Sequence, residues 1–119
     1  MIVRWTVLAF SVVLLLAGAI PFFVPARGAT SSAPAYAAFH LAGALFGFAA
    51  VAWRRGQFAP LFSLVFGVLD LYQALASAAS WFPKDLFGWT PVDDGLHWVL
   101  GAVLILLGAT GWIYRKRSS

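Results

Sequence analysis

The chain of 119 residues has no cysteine and no glutamate, and its only acidic residues are four aspartates. Without cysteine there can be no disulfide framework, no thiolate metal site and no cysteine nucleophile. The aspartates are Asp70, Asp85, Asp93 and Asp94, so only one adjacent pair exists. That argues against hydrolysis by paired carboxylates. No nucleotide-binding loop, Ser-His-Asp spacing or metalloprotease motif is present. Charge of either sign is scarce: 10% of residues are charged, where a soluble domain carries about a quarter. The chain therefore does not read as an enzyme.

What is abundant is apolar surface, at 62% of residues. A water-soluble core of this size could not hide so much, so composition alone points to the membrane class. A bilayer-spanning helix takes about 20 mostly apolar residues, and four segments qualify: 5–24, 36–53, 58–80 and 95–113. The expected fold is all-α, a bundle of four transmembrane helices in a single membrane domain. "PARGATSSAPA" joins the first pair and is rich in turn formers. "RRGQ" joins the second and third helices, which predicts a tight antiparallel hairpin between them. "WFPKDLFGWTPVDD" is the one long polar loop. The first segment also has features of a signal peptide, but cleavage after Ala29 would put Arg27 where a small residue is needed.

The net charge of +4 does not indicate a nucleic-acid partner, because the basic residues sit at helix ends and not on one face. They read as topological signals. Arg4, Arg54, Arg55, Arg115, Lys116 and Arg117 fall on the side of both termini; Arg27 and Lys84 fall on the other. Basic residues favour the cytoplasm, so both termini should be cytoplasmic. All six tryptophans, Trp5, Trp53, Trp81, Trp89, Trp98 and Trp112, lie near expected helix ends, the pattern of an interfacial aromatic belt.

Two stretches, "FHLAGALFGFAAVAWRRGQFAPLFSLVFGVLDLY" and "LFGWTPVDDGLHWVLG", carry a resemblance. They resemble a family of small four-helix bacterial membrane proteins catalogued as a domain of unknown function. The shared features are a His-containing second helix, a basic turn, an "FG" third helix, and an "FG-x-x-P" loop before an Asp-then-His helix start. The chain departs from that pattern at "APAYAAFH", where a polar residue before the histidine is expected. The resemblance implies a multi-pass protein of the bacterial inner membrane. It implies no activity, since the family has none assigned.

Small residues mark where helices should pack. His40, Gly43 and Gly47 share one face, as do His97, Gly101 and Gly108. Ser63, Gly67, Asp70, Gln73 and Ser77 form a third stripe. Such small-residue seams carry close helix contacts in membranes, either within one chain or between copies. The second and fourth helices also resemble one another, which suggests two related helical hairpins repeated in parallel.

Few polar residues interrupt the spans. Asp70 lies near mid-bilayer, where a charge costs at least ~2.5–3.5 kcal/mol. With no basic residue at that depth, it needs a proton, a hydrogen-bonding partner or water. Gln73 and Ser77 are its nearest candidate partners. His40 and His97 lie at matching depth and are the candidate cofactor ligands. They suit two-histidine ligation of a haem iron, or a transition-metal site completed by Asp93 or Asp94. Asp93 and Asp94 also have a structural explanation. Thr90 and Pro91 read as N-cap and first helical residue, with Asp93 completing a capping box. The leading functional reading is a structural or accessory membrane protein without a cofactor. Its partners would be the lipid bilayer and a homo-oligomer or a larger membrane assembly. Two alternatives stand beside it: a ligand or ion site around Asp70, His40 and His97, and a two-histidine b-type haem electron carrier.

Overall fold

The computed structural model describes residues 2–23, 31 and 33–118, with side chains as far as Tyr114. Arg27 and the cleavage position after Ala29 lie outside the described residues, as do the side chains of Arg115, Lys116 and Arg117. The elements are α1 (Ile2–Phe23), α2 (Pro34–Ala52), α3 (Ala59–Ala79), a short α4 (Lys84–Phe87) and α5 (Pro91–Ser118). No strand occurs among the described residues. Four of the helices, α1, α2, α3 and α5, are long and apolar enough to cross a membrane.

Local chemistry explains the boundaries. Proline occupies the start of α2, α3 and α5, where a missing N–H costs nothing. The fourth span therefore begins four residues before the expected Gly95, and Asp93 and Asp94 lie within its first turn. The helix also continues to Ser118, beyond the expected end at residue 113. The long polar loop is correspondingly shorter, and Lys84–Phe87 folds into α4. Left-handed residues stop two helices: Ser80 after α3 and Gly88 after α4. Between α2 and α3, Arg54, Arg55 and Gly56 take φ of 44°, 59° and 84° in succession. Glycine accepts this freely, whereas each arginine gives up roughly 1–2 kcal/mol.

The packing differs from the expected α2–α3 hairpin. The connecting turn is tight, but α1 packs along α2 and α3 packs along α5. Small residues decide the partners. A Cβ on Gly67 would come within 2.9 Å of the Gly101 carbonyl, and one on Gly108 within 2.8 Å of the Pro60 carbonyl. In the other pair, a Cβ on Gly18 would lie 2.8 Å from the Ala37 carbonyl. Only glycine permits such close backbone approach. Between α2 and α3 the helices pack little, and bulkier residues such as Phe46, Leu61 and Val65 line an apolar groove of about 750 Å3.

The two hairpins, α1–α2 and α3–α5, share several registers. Pro34 precedes His40 by the same interval that separates Pro91 from His97, and the pair Phe10–Ser11 recurs as Phe62–Ser63. Both serines are buried and bonded to backbone carbonyls, Ser11 to Val7 at 2.7 Å and Ser63 to Leu104 across the second hairpin at 2.5 Å. Phe10 and Phe66 join the hairpins edge to face, with ring centroids 5.1 Å apart. Around this core (Phe10, Leu14, Ala44, Phe66 and Leu104) the surface is apolar. Leu45 and Phe46 are each 71% exposed. Contiguous apolar exposure of this kind suits hydrocarbon and not water.

Candidate functional site

One end of the bundle carries the α2–α3 turn and the start of α1; the opposite, loop end carries Ser31 and α4. The loop end is built by Asp93. Its Oδ2 accepts hydrogen bonds from the backbone N–H of Thr90 at 2.9 Å and of Ser31 at 2.8 Å. The Asp93 N–H in turn donates to Thr90 Oγ1 at 3.2 Å. This is a reciprocal capping box with aspartate in place of glutamate. The Ser31 bond adds a link that capping alone does not require: it ties the segment before α2 to the start of α5. Ser31 Oγ also donates to the Phe87 carbonyl at 2.5 Å.

Beneath this cap lies a polar cluster. Asp70, Gln73 and His97 are 3%, 4% and 4% exposed. Gln73 holds its centre: Nε2 donates to Asp70 Oδ1 at 3.3 Å, and Oε1 accepts from the Trp89 indole N–H at 3.2 Å. The Trp89 ring meets His97 edge to face at 5.9 Å. Tyr36 completes the cluster. Its hydroxyl lies 2.7 Å from His97 Nε2, and its ring centroid is 4.1 Å from that of His40. Asp70 thus reaches the histidine layer through Gln73 and Trp89. Ser77 is buried one turn further along α3, and its carbonyl accepts from Lys84 Nζ at 2.5 Å.

Two members of the cluster were not among the sequence candidates. Trp89 reads in the sequence as one more interfacial tryptophan, but it is buried, whereas Trp5, Trp53, Trp81, Trp98 and Trp112 are exposed. Its place in a turn beside Gly88 carries no hint of the Gln73 contact. Tyr36 stands one helical turn before His40, which places both on one face of α2. That spacing was a usable signal.

Among the described residues, no three metal-ligating side chains converge where an ion could be held. Asp93 is committed to the cap, and Asp94 Oδ1 is buried without a partner among the described residues. Two axial haem ligands must face each other across a flat slot. Here Tyr36 bridges the two imidazoles, and Phe87 packs on Tyr36 with centroids 5.3 Å apart. The residues present do not fit a porphyrin.

Three further polar atoms in this layer are buried with no partner among the described residues: Asp70 Oδ2, His97 Nδ1 and His40 Nδ1. An unpaired buried polar atom costs about 1–3 kcal/mol, and polar groups deep in a membrane bundle commonly serve a binding or transfer role. The fold and this cluster define a class: an all-helical protein with four candidate spans and a buried polar site at one end. No family model, curated protein or solved structure matches the chain.

Proposed function

We propose that the chain is a multi-pass protein of a bacterial inner membrane, with both termini cytoplasmic, that binds a proton or a small monovalent cation at Asp70, in the half of the bundle toward the loop end. On this reading it belongs with the small four-helix bacterial membrane proteins that it resembles. Support for the orientation comes from charge. Arg4, Arg54 and Arg55 cluster at one end of the bundle, and Lys84 is the one basic side chain among the described residues at the other. Support for binding rests on one observation: the buried Asp70 carboxylate has one oxygen on Gln73 and the other without a partner, and no described basic side chain pairs with it. A cation is the complementary ligand, and with no convergent set of three metal ligands a small monovalent ion or a proton suits it best.

Ligands that bind only the folded state raise its melting temperature. The melting temperature of the purified protein should therefore depend on pH, or on sodium, potassium or ammonium concentration. The same scans on Asp70→Asn should lose that dependence. Superimposable scans for parent and variant would remove the binding reading. Orientation is tested separately. A cysteine at Asp85 should react with an impermeant thiol reagent added to intact cells, and one at Gln57 only after permeabilisation.

An accessory role in a homo-oligomer or larger assembly is the second reading. The groove between α2 and α3 favours it, since its walls are apolar and the two helices do not close it. A particle mass in lipid discs equal to one chain would count against a homo-oligomer.

A further inference from the structure

At the end opposite the polar cluster, α1, the α2–α3 turn and α5 surround a cleft of about 740 Å3. Its walls include Arg4, Arg54, Arg55, Ile2, Leu107 and Tyr114. None of the four aspartates lines it. Arg4 is fixed across the turn: its Nε donates to the Val51 carbonyl at 3.3 Å. Its stem lies over Gly56, where a Cβ would come 2.8 Å from Arg4 Cδ. Val51 is the only hydrogen-bond partner of Arg4 among the described residues. Arg54 sits over the Trp53 ring at 5.7 Å, and both turn arginines hold left-handed backbone conformations. A basic turn suffices for topology without a cleft. Here three arginines from two separate segments line one cavity that also has apolar walls.

We propose that this cleft binds the phosphate headgroup of an anionic phospholipid, with the apolar wall around Ile2 and Leu107 taking the start of an acyl chain. Guanidinium groups pair with phosphate oxygens through parallel N–H donors, and basic pockets between helices at the membrane surface suit acidic headgroups. Position selects a lipid over free phosphate. The candidate span Pro34–Arg55 ends at this turn and Ala59–Ala79 begins just beyond it, so the cleft lies where headgroups lie. The proposal is independent of the cation site, which lies in the other half of the bundle.

The test is lipid retention. The whole chain is placed in phosphatidylcholine bilayers with or without phosphatidylglycerol, extracted in mild detergent, and its bound lipid counted by native mass spectrometry. The parent should retain phosphatidylglycerol over phosphatidylcholine. Arg4→Gln and Arg55→Gln should each cut that retention about fivefold, as expected for one basic contact. Lys84→Gln makes the same charge change at the other end and should leave it intact, and excess inorganic phosphate should not displace the lipid. Equal retention of the two lipids by the parent would overturn the proposal. So would an equal loss in Lys84→Gln, or displacement by inorganic phosphate. The comparison of lipids on the parent protein decides the matter even if an arginine variant fails to fold.

Discussion

Replacing Trp89 by phenylalanine isolates the bond that holds the polar cluster together. The indole N–H donates to Gln73 Oε1 at 3.2 Å, and both residues are buried. Phenylalanine keeps most of the apolar contact with Phe87 and His97 but leaves Gln73 Oε1 without its donor. The lost bond, the unpaired acceptor and the smaller ring together should cost about 2 kcal/mol. Side-chain hydrogen bonds within membrane bundles couple modestly, by ~0.6 kcal/mol on average and ~1.7 at most. In a Gln73→Met background, Trp89→Phe should therefore cost only about 1 kcal/mol, giving a coupling of about 1 kcal/mol. Reversible unfolding in mixed micelles, followed by helicity, measures all four corners of the cycle. Trp81→Phe is the control: Trp81 is 53% exposed and should change stability by less than about 0.5 kcal/mol. A Trp89→Phe variant as stable as that control, or a coupling near zero, would show that Trp89 is packing and not part of a polar network.

Four further outcomes are expected. Gly67→Ala should destabilise by about 1–3 kcal/mol, because its Cβ would press on Ile105 and the Gly101 carbonyl. Gly95→Ala, with nothing within 4 Å of its Cβ, should be neutral or stabilising by up to about 1 kcal/mol in the same unfolding assay. Tyr36→Phe should change the nitrogen-15 chemical shifts of His97, which loses its 2.7 Å partner, at a stability cost of about 1 kcal/mol; unchanged shifts would refute the contact. Asp93→Ala should cost about 2 kcal/mol or more, since it removes both the cap and the tie to Ser31, whereas Asp94→Asn should stay within about 0.5 kcal/mol. Equal effects at the two aspartates, read by thermal melting, would refute the assignment of the cap to Asp93.

Composition and run length by themselves determined the class of this protein. Too little charge and four long apolar runs give four helices long and apolar enough to cross a membrane, where hydrocarbon demands a backbone that satisfies itself. The sequence also carried the capping box, since Thr90, Pro91 and Asp93 interact within one turn and local spacing suffices to read them. His40, His97, Asp70 and Gln73 stood out because polar residues are rare in such runs. Only the tertiary structure decided what those residues touch. The choice of helix partners depended on how closely particular backbones can approach, so Gly67 met Gly101 and Gly18 met Ala37, while the α2–α3 turn joined helices that scarcely pack. The recruitment of Trp89 to Gln73 and of Tyr36 to His97 followed from that choice. Ring-to-ring and side-chain contacts between segments far apart in the chain leave no periodic trace in it. An indole at a helix end looks the same in sequence whether it faces lipid headgroups or, as here, a buried amide.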